Sequence, residues 1–478
     1  MSQRDHLADT TTLCPECLER IPGTYEAEDG SVYLSRSCPT HGDTDRKVWD
    51  SVDHWEWART FEPEAPFDPE GEFTVAGHHA CLAVVEVTQD CNLSCSYCFA
   101  SSGPGGEQKP YGDVLDLLET VREESGPVPI QLSGGEPTVR DDLPEIVAEA
   151  AEMGFEHIQV NTNGLRIAEE DGYADQLADA GATAVYLQFD GLESETYESI
   201  READLAGTKR EAVAACDRAD LSVVLVPTVV PGVNDHEMGA IVEFALETDI
   251  VESVNFQPVA HFGRVAEHGE RFSLDEAARR LADQLGDIDP RDLMPVPCCS
   301  AYCHTATALA RTPSGITAAT QFLDDDLYTD VAGSVDESDW LDLVACTPAG
   351  KESADEVGGC CSPDLSNLPG EEASTGDSCC GPSSSSPLDS LGLDPSDLLE
   401  NVLPVSFTGF MDADAADACR LDNCCVSVPT PDGDLVPFCG YNMTTDDGEY
   451  ALRNREGWGG RPAVGEPVDA EPTTTDDD

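Results

Sequence analysis

The sequence predicts an α/β fold: a partial (β/α)6 barrel of the TIM type, with a small N-terminal metal-binding knuckle and an irregular cysteine-rich C-terminal region. Three observations predict it. Apolar strand-like runs recur between residues 81 and 260 at intervals of about thirty residues, the length of one βα unit. Amphipathic helical patterns fill the intervals. Cysteines gather in short-spaced groups at both ends of the chain and just after the first of these runs.

Residues 1–50 form the knuckle. The stretch LCPECLERIPGTYEAEDGSVYLSRSCPTHG sets Cys14, Cys17, Cys38 and His41 in two pairs, CPxC and CPxH, around a strand-like alternation at Val32 and Leu34. Such pairs on knuckle turns suit one tetrahedral ion: zinc with His41 as a ligand, or a mononuclear iron like that of rubredoxin if Cys81 replaces it. Residues 51–80, rich in Trp, Pro and Glu, read as a linker.

Residues 81–295 are the barrel, with strands expected at CLAVVEVT, VPIQLSGGEP, HIQVNTNG, AVYLQFDG, SVVLVPTVVPG and ESVNFQPVA. In DVLDLLETVREES, Val114, Leu117, Leu118 and Val121 follow the i, i+3, i+4, i+7 rule and share one stripe. In DDLPEIVAEAAEMG, Leu143, Ile146, Val147 and Ala150 do the same, with Gly154 as the C′ stop. Short connections imply parallel strands, right-handed crossovers and a mouth at the strand ends where ligands bind.

Residues 296–346 and 401–460 are two parts of an auxiliary cysteine-rich region. Cys298, Cys303, Cys425 and Cys439 make a set of four there, a complement that suits a closed auxiliary 4Fe-4S cluster; Cys299 and Cys424 are vicinal alternates. The insert at 347–400, rich in Ser, Gly, Pro and Asp, reads as disordered, its Cys360, Cys361, Cys379 and Cys380 as uncommitted loop thiols. Residues 461–478 are an acidic tail. Cys216 reads as a small core residue, and His261 and His304 as histidines that are neither ligands nor proton carriers.

The chain has 478 residues, with 95 Asp and Glu against 25 Lys and Arg, a formal net charge of -70, and only 4 of the basic residues are Lys. A field of that sign repels nucleic acid and an anionic membrane surface alike. The carboxylates read as a solvated surface suited to high salt, where self-repulsion is screened. No apolar run is long enough to span a bilayer, and MSQRDHLADT lacks the apolar core of a secretory signal. A cytoplasmic location is expected, with transient membrane association if the substrate is a lipid. In such a compartment 20 cysteines are metal or redox ligands sooner than disulfides.

In EVTQDCNLSCSYCFA, Cys91, Cys95 and Cys98 follow the first barrel strand and so sit at the mouth. A 4Fe-4S cubane takes one thiolate per iron, so three thiols leave one iron open to a small molecule. The alternative is a structural zinc with its fourth ligand at Cys81 or His79. Against it stand Tyr97 before the last cysteine, the Gly-Gly-Glu-Pro of LSGGEPT after the second strand, and the repeated strands themselves. Across roughly residues 81–260 the chain resembles the radical S-adenosylmethionine (SAM) superfamily.

That resemblance implies that Cys91, Cys95 and Cys98 ligate the cluster and that its free iron chelates the amino and carboxylate groups of SAM. It implies Gly134, Gly135 and Glu136 against the methionyl ammonium, and Tyr97 and Phe99 flanking the adenine. Asn161 and Asn163, and Gln188 and Asp190, would reach ribose or substrate from the ends of the third and fourth strands, and Val230 and Asn234 would line the adenosine pocket. The reduced cluster would cleave SAM to methionine and a 5′-deoxyadenosyl radical that takes hydrogen from an unactivated C-H bond.

The N-terminal CPxC and CPxHG module, the central LAVVEVTQDCNLSCSYCFA and the terminal VPTPDGDLVPFCGYN resemble the archaeal tetraether lipid synthase family, also classed as class D radical SAM methyltransferases acting on a pterin. That family's further motif, CPxDCGxC, precedes the barrel; here FEPEAPFDPEGEFTVAGHHACLA keeps only Cys81, which implies that one auxiliary cluster is absent. The expected function is C-C bond formation or methylation on an archaeal lipid or pterin-like small molecule, with a low-potential electron donor such as a ferredoxin as partner. A peptide maturase and a non-enzymatic iron-sulfur carrier are the alternatives; a carrier has no need of the GGEP pocket.

Overall fold

A computed structural model of the chain describes residues 4–62, 80–265, 271–286, 288–296, 300–312, 315–318, 402–445 and 448–453. Cys298 and Cys299, His79, the four cysteines of the insert, the insert itself and the acidic tail lie outside the described residues.

The N-terminal module is an antiparallel meander of β1 (Asp5–Leu13), β2 (Arg20–Glu28), β3 (Ser31–Cys38) and β4 (Gly42–Trp49). Helix α1 (Val52–Arg59) follows within the expected linker. Ser51 caps it by accepting from the backbone N-H of His54, and Trp55 stacks on Tyr302 with ring centroids 5.5 Å apart, so this segment is packed structure. The sheet docks on residues 411–422: Arg20 pairs with Asp422 at 2.8 Å, and the buried Arg36 donates to the carbonyls of Ala413 and Asp414 at 3.1 and 3.0 Å.

The barrel strands are β5 (Leu82–Thr88), β7 (Ile130–Gly134), β8 (Ile158–Thr162), β9 (Ala184–Gln188), β10 (Ser222–Val226) and β12 (Val251–Pro258). They pair in parallel and in chain order, as βα repeats with right-handed crossovers require. Short β6 (Tyr97–Cys98) pairs with β13 (Arg264–Val265), and β11 (Thr228–Val229) with β12. The helices are α2 (Tyr111–Ser125), α3 (Leu143–Glu152), α4 (Leu165–Glu169), α5 (Tyr173–Ala180), α6 (Ser194–Arg201), α7 (Ala206–Arg218), α8 (Met238–Leu246) and α9 (Leu274–Leu285). The stripes read from sequence on α2 and α3 are the buried ones, Gly154 follows α3 at φ 97°, and Cys216 is core.

The cysteine-rich region is more regular than its sequence suggests. It supplies β14 (Met294–Pro295), β15 (His304–Thr312), β16 (Gly315–Ala318), β17 (Val402–Thr408), β18 (Val426–Pro429) and β19 (Leu435–Pro437). Strand β17 joins β12 in parallel at one edge of the barrel sheet, and β18 joins β5 in parallel at the other. Among the described residues the sheet does not close, so the barrel is partial and its edges are covered by the chain's own C-terminal strands.

Alternation along the strands separates core from cavity. Ile130 and Leu132, Ile158 and Val160, Val185 and Leu187, Val223 and Leu225, Val254 and Phe256 pack outward against the helices in one core, each side chain fully buried. Burying each stabilises the fold by roughly 1.5–3 kcal/mol. Their neighbours Gln131, Ser133, Gln159, Asn161, Tyr186, Gln188, Asn255 and Gln257 point the other way and line a cavity of about 340 Å³.

Candidate functional site

Two groups of thiols stand on the wall of this cavity. Cys91, Cys95 and Cys98 come from the loop after β5; Cys81, Cys303, Cys424, Cys425 and Cys439 come from the start of β5 and the C-terminal strands. None is in a disulfide.

The tripod loop is held from several sides. Ser96 N donates to the carbonyl of Ile200 at 3.1 Å, and Arg264 donates to the carbonyls of Cys95 and Ser102 at 2.6 and 2.8 Å. Tyr450 donates to the carbonyl of Phe99 at 2.5 Å, and Phe99 packs on Phe438. Burial pushes the Cys91 thiol up to about 12, against the N-H of Leu93, with the charges of Glu136, Cys95 and Cys98 adding to the rise. Burial raises Cys95 too, opposed by the charge of Arg201. Converging, desolvated thiols ionise when cations neutralise them, which is the donor set an iron-sulfur cluster uses. The residues therefore fit the group.

Gly134 and Gly135 line the cavity and also pack closely on this loop. A Cβ on Gly134, whose φ is 122°, would fall 2.1 Å from the carbonyl oxygen of Thr88, and one on Gly135 2.2 Å from that of Asp90. Only glycine lets β7 end against the start of the tripod loop. Glu136 is 1% exposed and accepts from Thr138 N at 3.1 Å, the hydroxyls of Thr138 and Thr162 at 2.6 Å each, and Asn163 N at 2.6 Å. Asn163 donates in turn to Asn92 Oδ1 in the tripod loop at 2.7 Å.

Of the other expected cofactor contacts, Tyr97, Phe99, Asn161, Asn163 and Gln188 line the cavity. Asp190, Val230 and Asn234 do not. Asp190 is fully buried, with both oxygens on Arg201 and one also accepting from Thr228 N at 3.0 Å. Asn234 donates to the carbonyls of Asp190 and Thr228 and accepts from Val230 N at 2.7 Å, so it ties the loop after β10 to the end of β9. Asn234 thus holds a turn and Asp190 a buried arginine, roles that need no ligand. Sequence reasoning passed over Arg201, Arg264 and the inward amides Gln131, Gln159 and Gln257.

The second thiol group brings Cys81 to the expected cysteines that the structure describes. Cys81 Sγ stands 2.6 Å from Cys425 Sγ, so Cys81 belongs here and not with the N-terminal ligands. Cys303, Cys425 and Cys439 stand on the same cavity wall; Cys298 lies outside the described residues. His304 lines this end, with Nδ1 2.9 Å from Thr408 Oγ1, and burial lowers its imidazole to about 4, which leaves it neutral. His261 uses its backbone N-H on Asp412 at 2.8 Å.

In the N-terminal sheet Cys14, Cys17, Cys38 and His41 bring their ligand atoms within 4.8 Å of one another. His41 Nδ1 lies 3.4 Å from Cys14 Sγ and 3.5 Å from Cys38 Sγ. Burial pushes Cys17 up to about 12; at Cys38 burial is outweighed by the N-H groups of Thr40 and His41, and the thiol falls to about 7. The set suits one tetrahedral ion with three sulfurs and one imidazole. Among the described residues no helix is long and apolar enough to cross a membrane.

Comparison with known proteins agrees with this geometry. Residues 85–245 match the radical SAM superfamily, and residues 6–50 match the HMPTM N-terminal zinc ribbon domain. The chain is 33% identical to the 7,8-dihydro-6-hydroxymethylpterin dimethyltransferase of Methanocaldococcus jannaschii, over 91% of this chain and 93% of that protein. It is 32% identical to a probable GTP 3′,8-cyclase of Methanothermobacter thermautotrophicus, over 35% of this chain and 54% of that protein. Among solved structures, Streptococcus suis SuiB bound to S-adenosylmethionine overlaps 57% of this chain and 68% of its own, at 13% identity and a TM-score of 0.38. The cofactors are accordingly a 4Fe-4S cluster and SAM, with a metal in the N-terminal ribbon. A relationship that runs almost end to end makes the chain a radical SAM enzyme and a member of the class D methyltransferase family of that superfamily.

Proposed function

We propose that this enzyme forms a C-C bond, as a methylation, on a flat polar heterocycle of the pterin type held in the cavity between the two thiol groups. One observation carries the reading: the inward wall of the barrel presents the side-chain amides of Gln131, Gln159, Asn161, Gln188, Asn255 and Gln257. Phe99, Phe262, Phe410 and Phe438 stand on the same cavity. Ring faces suit the aromatics and ring N-H, C=O and amino groups suit the amides. The amides pair partly among themselves, Gln131 Nε2 donating to Gln159 Oε1 at 2.8 Å, while Asn161 Oδ1 is buried without a partner; a polar ring can satisfy that acceptor and a hydrocarbon chain cannot, a difference of about 1–3 kcal/mol. The substrate named for the Methanocaldococcus relative is of the polar kind.

In this reading Cys91, Cys95 and Cys98 hold the SAM-binding cluster. Glu136 orders the mouth beside it, and Tyr97, Phe99, Asn161, Asn163 and Gln188 face the cofactor or substrate. When bound and reduced, the cluster supplies the electron that splits SAM into methionine and a 5′-deoxyadenosyl radical. The protein's share is to orient the heterocycle and keep water from the radical. Cys81, Cys303, Cys425 and Cys439 hold an auxiliary cluster at the far end. A low-potential donor such as a ferredoxin supplies electrons, and the enzyme works in the cytoplasm.

The test is an anaerobic assay of reconstituted protein with SAM, dithionite and 7,8-dihydro-6-hydroxymethylpterin. Pterin-dependent release of 5′-deoxyadenosine is expected, and a methylated pterin once a one-carbon donor is added, because the SAM that yields the radical keeps its methyl group on methionine. The double variant Gln159→Leu with Gln257→Leu should raise the pterin KM by about tenfold or more, since a site built to pair polar groups is sensitive to their loss. Stimulation by a diether lipid and none by the pterin would overturn the substrate assignment.

For the auxiliary site, Cys81→Ala is expected to lower the iron content while leaving the zinc or mononuclear iron of the ribbon in place. Metal analysis of the purified variant checks this; loss of the ribbon metal instead would return Cys81 to the N-terminal set.

A further inference from the structure

We propose that Arg201 is a positioning residue for the SAM-binding cluster: it holds a permanent positive charge against Cys95 and raises the cluster's reduction potential, with Asp190 as the counter-charge that sets how strongly. This rests on the reading that Cys91, Cys95 and Cys98 ligate that cluster.

A guanidinium has five N-H groups, and here their partners can be counted. Nε and one N-H of Nη2 meet the two oxygens of Asp190 at 2.7 Å each. The other N-H of Nη2 meets Thr228 Oγ1 at 2.9 Å, and one N-H of Nη1 meets the carbonyl of Tyr97 at 3.0 Å. One donor remains, on the nitrogen that already reaches the tripod loop at the carbonyl of Tyr97, two residues from Cys95, and the guanidinium charge acts on the Cys95 thiol. Arg201 lines the same cavity as Cys95; Asp190 does not.

The pair is desolvated, with side-chain exposure of 6% for Arg201 and 0% for Asp190. Water therefore screens it little, and a buried ion pair is tolerated when its other donors find partners, as those on Thr228 and Tyr97 do here. Its orientation is fixed, carboxylate on the guanidinium Nε and Nη2 and Nη1 toward the tripod loop. Two more ties dock the same loop on the end of α6: Ser96 N on the carbonyl of Ile200, and Ser96 Oγ on Glu202 at 2.9 Å. Arg264 approaches the loop from the other side but donates to the carbonyls of Cys95 and Ser102.

The consequence is electrostatic. Adding an electron makes a thiolate-bound cluster more negative, so a buried cation held against the ligand loop favours the reduced form. Removing the cation should make reduction harder; removing its counter-charge should make it easier. A residue that merely braces the loop would not give shifts of opposite sign.

The experiment is a redox titration of full-length reconstituted protein, followed by electron paramagnetic resonance on the signal that SAM perturbs. Arg201→Gln is expected to shift that midpoint potential negative and to slow 5′-deoxyadenosine formation by about tenfold or more at fixed dithionite, the range typical of groups that orient a metal ligand. Asp190→Asn is expected to shift it positive, and Arg201→Lys, which keeps the charge, to stay near wild type. An unmoved potential in Arg201→Gln with full iron, or a negative shift in Asp190→Asn, overturns the proposal. Should Arg201→Gln lose its iron, Asp190→Asn and Arg201→Lys decide by the same signs. A wild-type signal that SAM perturbs and that survives Cys98→Ala would instead overturn the ligand assignment beneath it.

Discussion

Alanine at Cys91, Cys95 or Cys98 is expected to abolish SAM cleavage, with 5′-deoxyadenosine formation falling by about a thousandfold or more, the scale of losing a member of a unit that acts together. Cys91, Cys95 and Cys98 are the three sulfurs that would hold a 4Fe-4S cluster with one iron left open, and the bound cluster would supply the electron that cleaves SAM. The geometry singles out Cys95 as the least replaceable. It is 8% exposed and its carbonyl is bound by Arg264, so its sulfur is the most enclosed of the three. Cys98 lies in β6, whose pairing with β13 sets Arg264 opposite it. Each variant should lose one cluster's iron and keep the ribbon metal, because Cys14, Cys17, Cys38 and His41 stand on a separate sheet. Iron, zinc and sulfide analysis together with chromatography of the nucleoside product checks the outcome. Persistent 5′-deoxyadenosine in Cys95→Ala would remove the basis of the assignment.

What could be read in advance was what is local. The strand runs and the stripes on α2 and α3 depend on periodicity within a dozen residues, and they stand where the alternation put them. The tripod is local as well, three thiols in one loop. Arg201 was illegible because it acts on Tyr97, 104 residues earlier in the chain. Cys81 stayed undecided between sites for the same reason: its partner Cys425 is 344 residues away, and β5 and β18 become neighbours only when the C-terminal strands complete the sheet edges.

Other sites were visible in the sequence but ambiguous in direction. Asp190 was rightly seen as a polar residue after a strand, yet the same pattern serves a ligand or a buried arginine, and the arginine holds it. The inward amides were present in VPIQLSGG, HIQVNTNG and VNFQPVA as the second phase of each alternation. They read as ordinary strand pattern until the opposite phase was seen to pack on the helices. Gly134 and Gly135 were picked for closeness to a ligand and do line the cavity; the close approach they also allow, to Thr88 and Asp90, was not legible.

Glu136→Gln is expected to destabilise the protein by about 2 kcal/mol through one unmet buried N-H, and to cost far more in turnover. The carboxylate takes four donors, and two of them, the backbone N-H groups of Thr138 and Asn163, cannot turn away. They approach different oxygens: Thr138 N meets Oε1 and Asn163 N meets Oε2. Glutamine offers one oxygen and one NH2, so either orientation of its amide sets a donor against a donor. If the NH2 replaces Oε2, Asn163 must shift, and Asn163 is the residue whose side chain binds Asn92 in the tripod loop and whose carbonyl takes Lys209 Nζ at 2.5 Å. The alternative orientation displaces Thr138 and the short turn Pro137–Val139 at the end of β7. Either shift reaches the mouth, where misplacement by an ångström can lower a rate about a hundredfold. Glu136→Asp should fare no better, since the shorter side chain cannot reach both turns. Denaturant unfolding of the apoprotein reads the first effect and single-turnover formation of 5′-deoxyadenosine the second. A variant with unchanged stability would show that the carboxylate is not what ties the ends of β7 and β8 to the tripod loop.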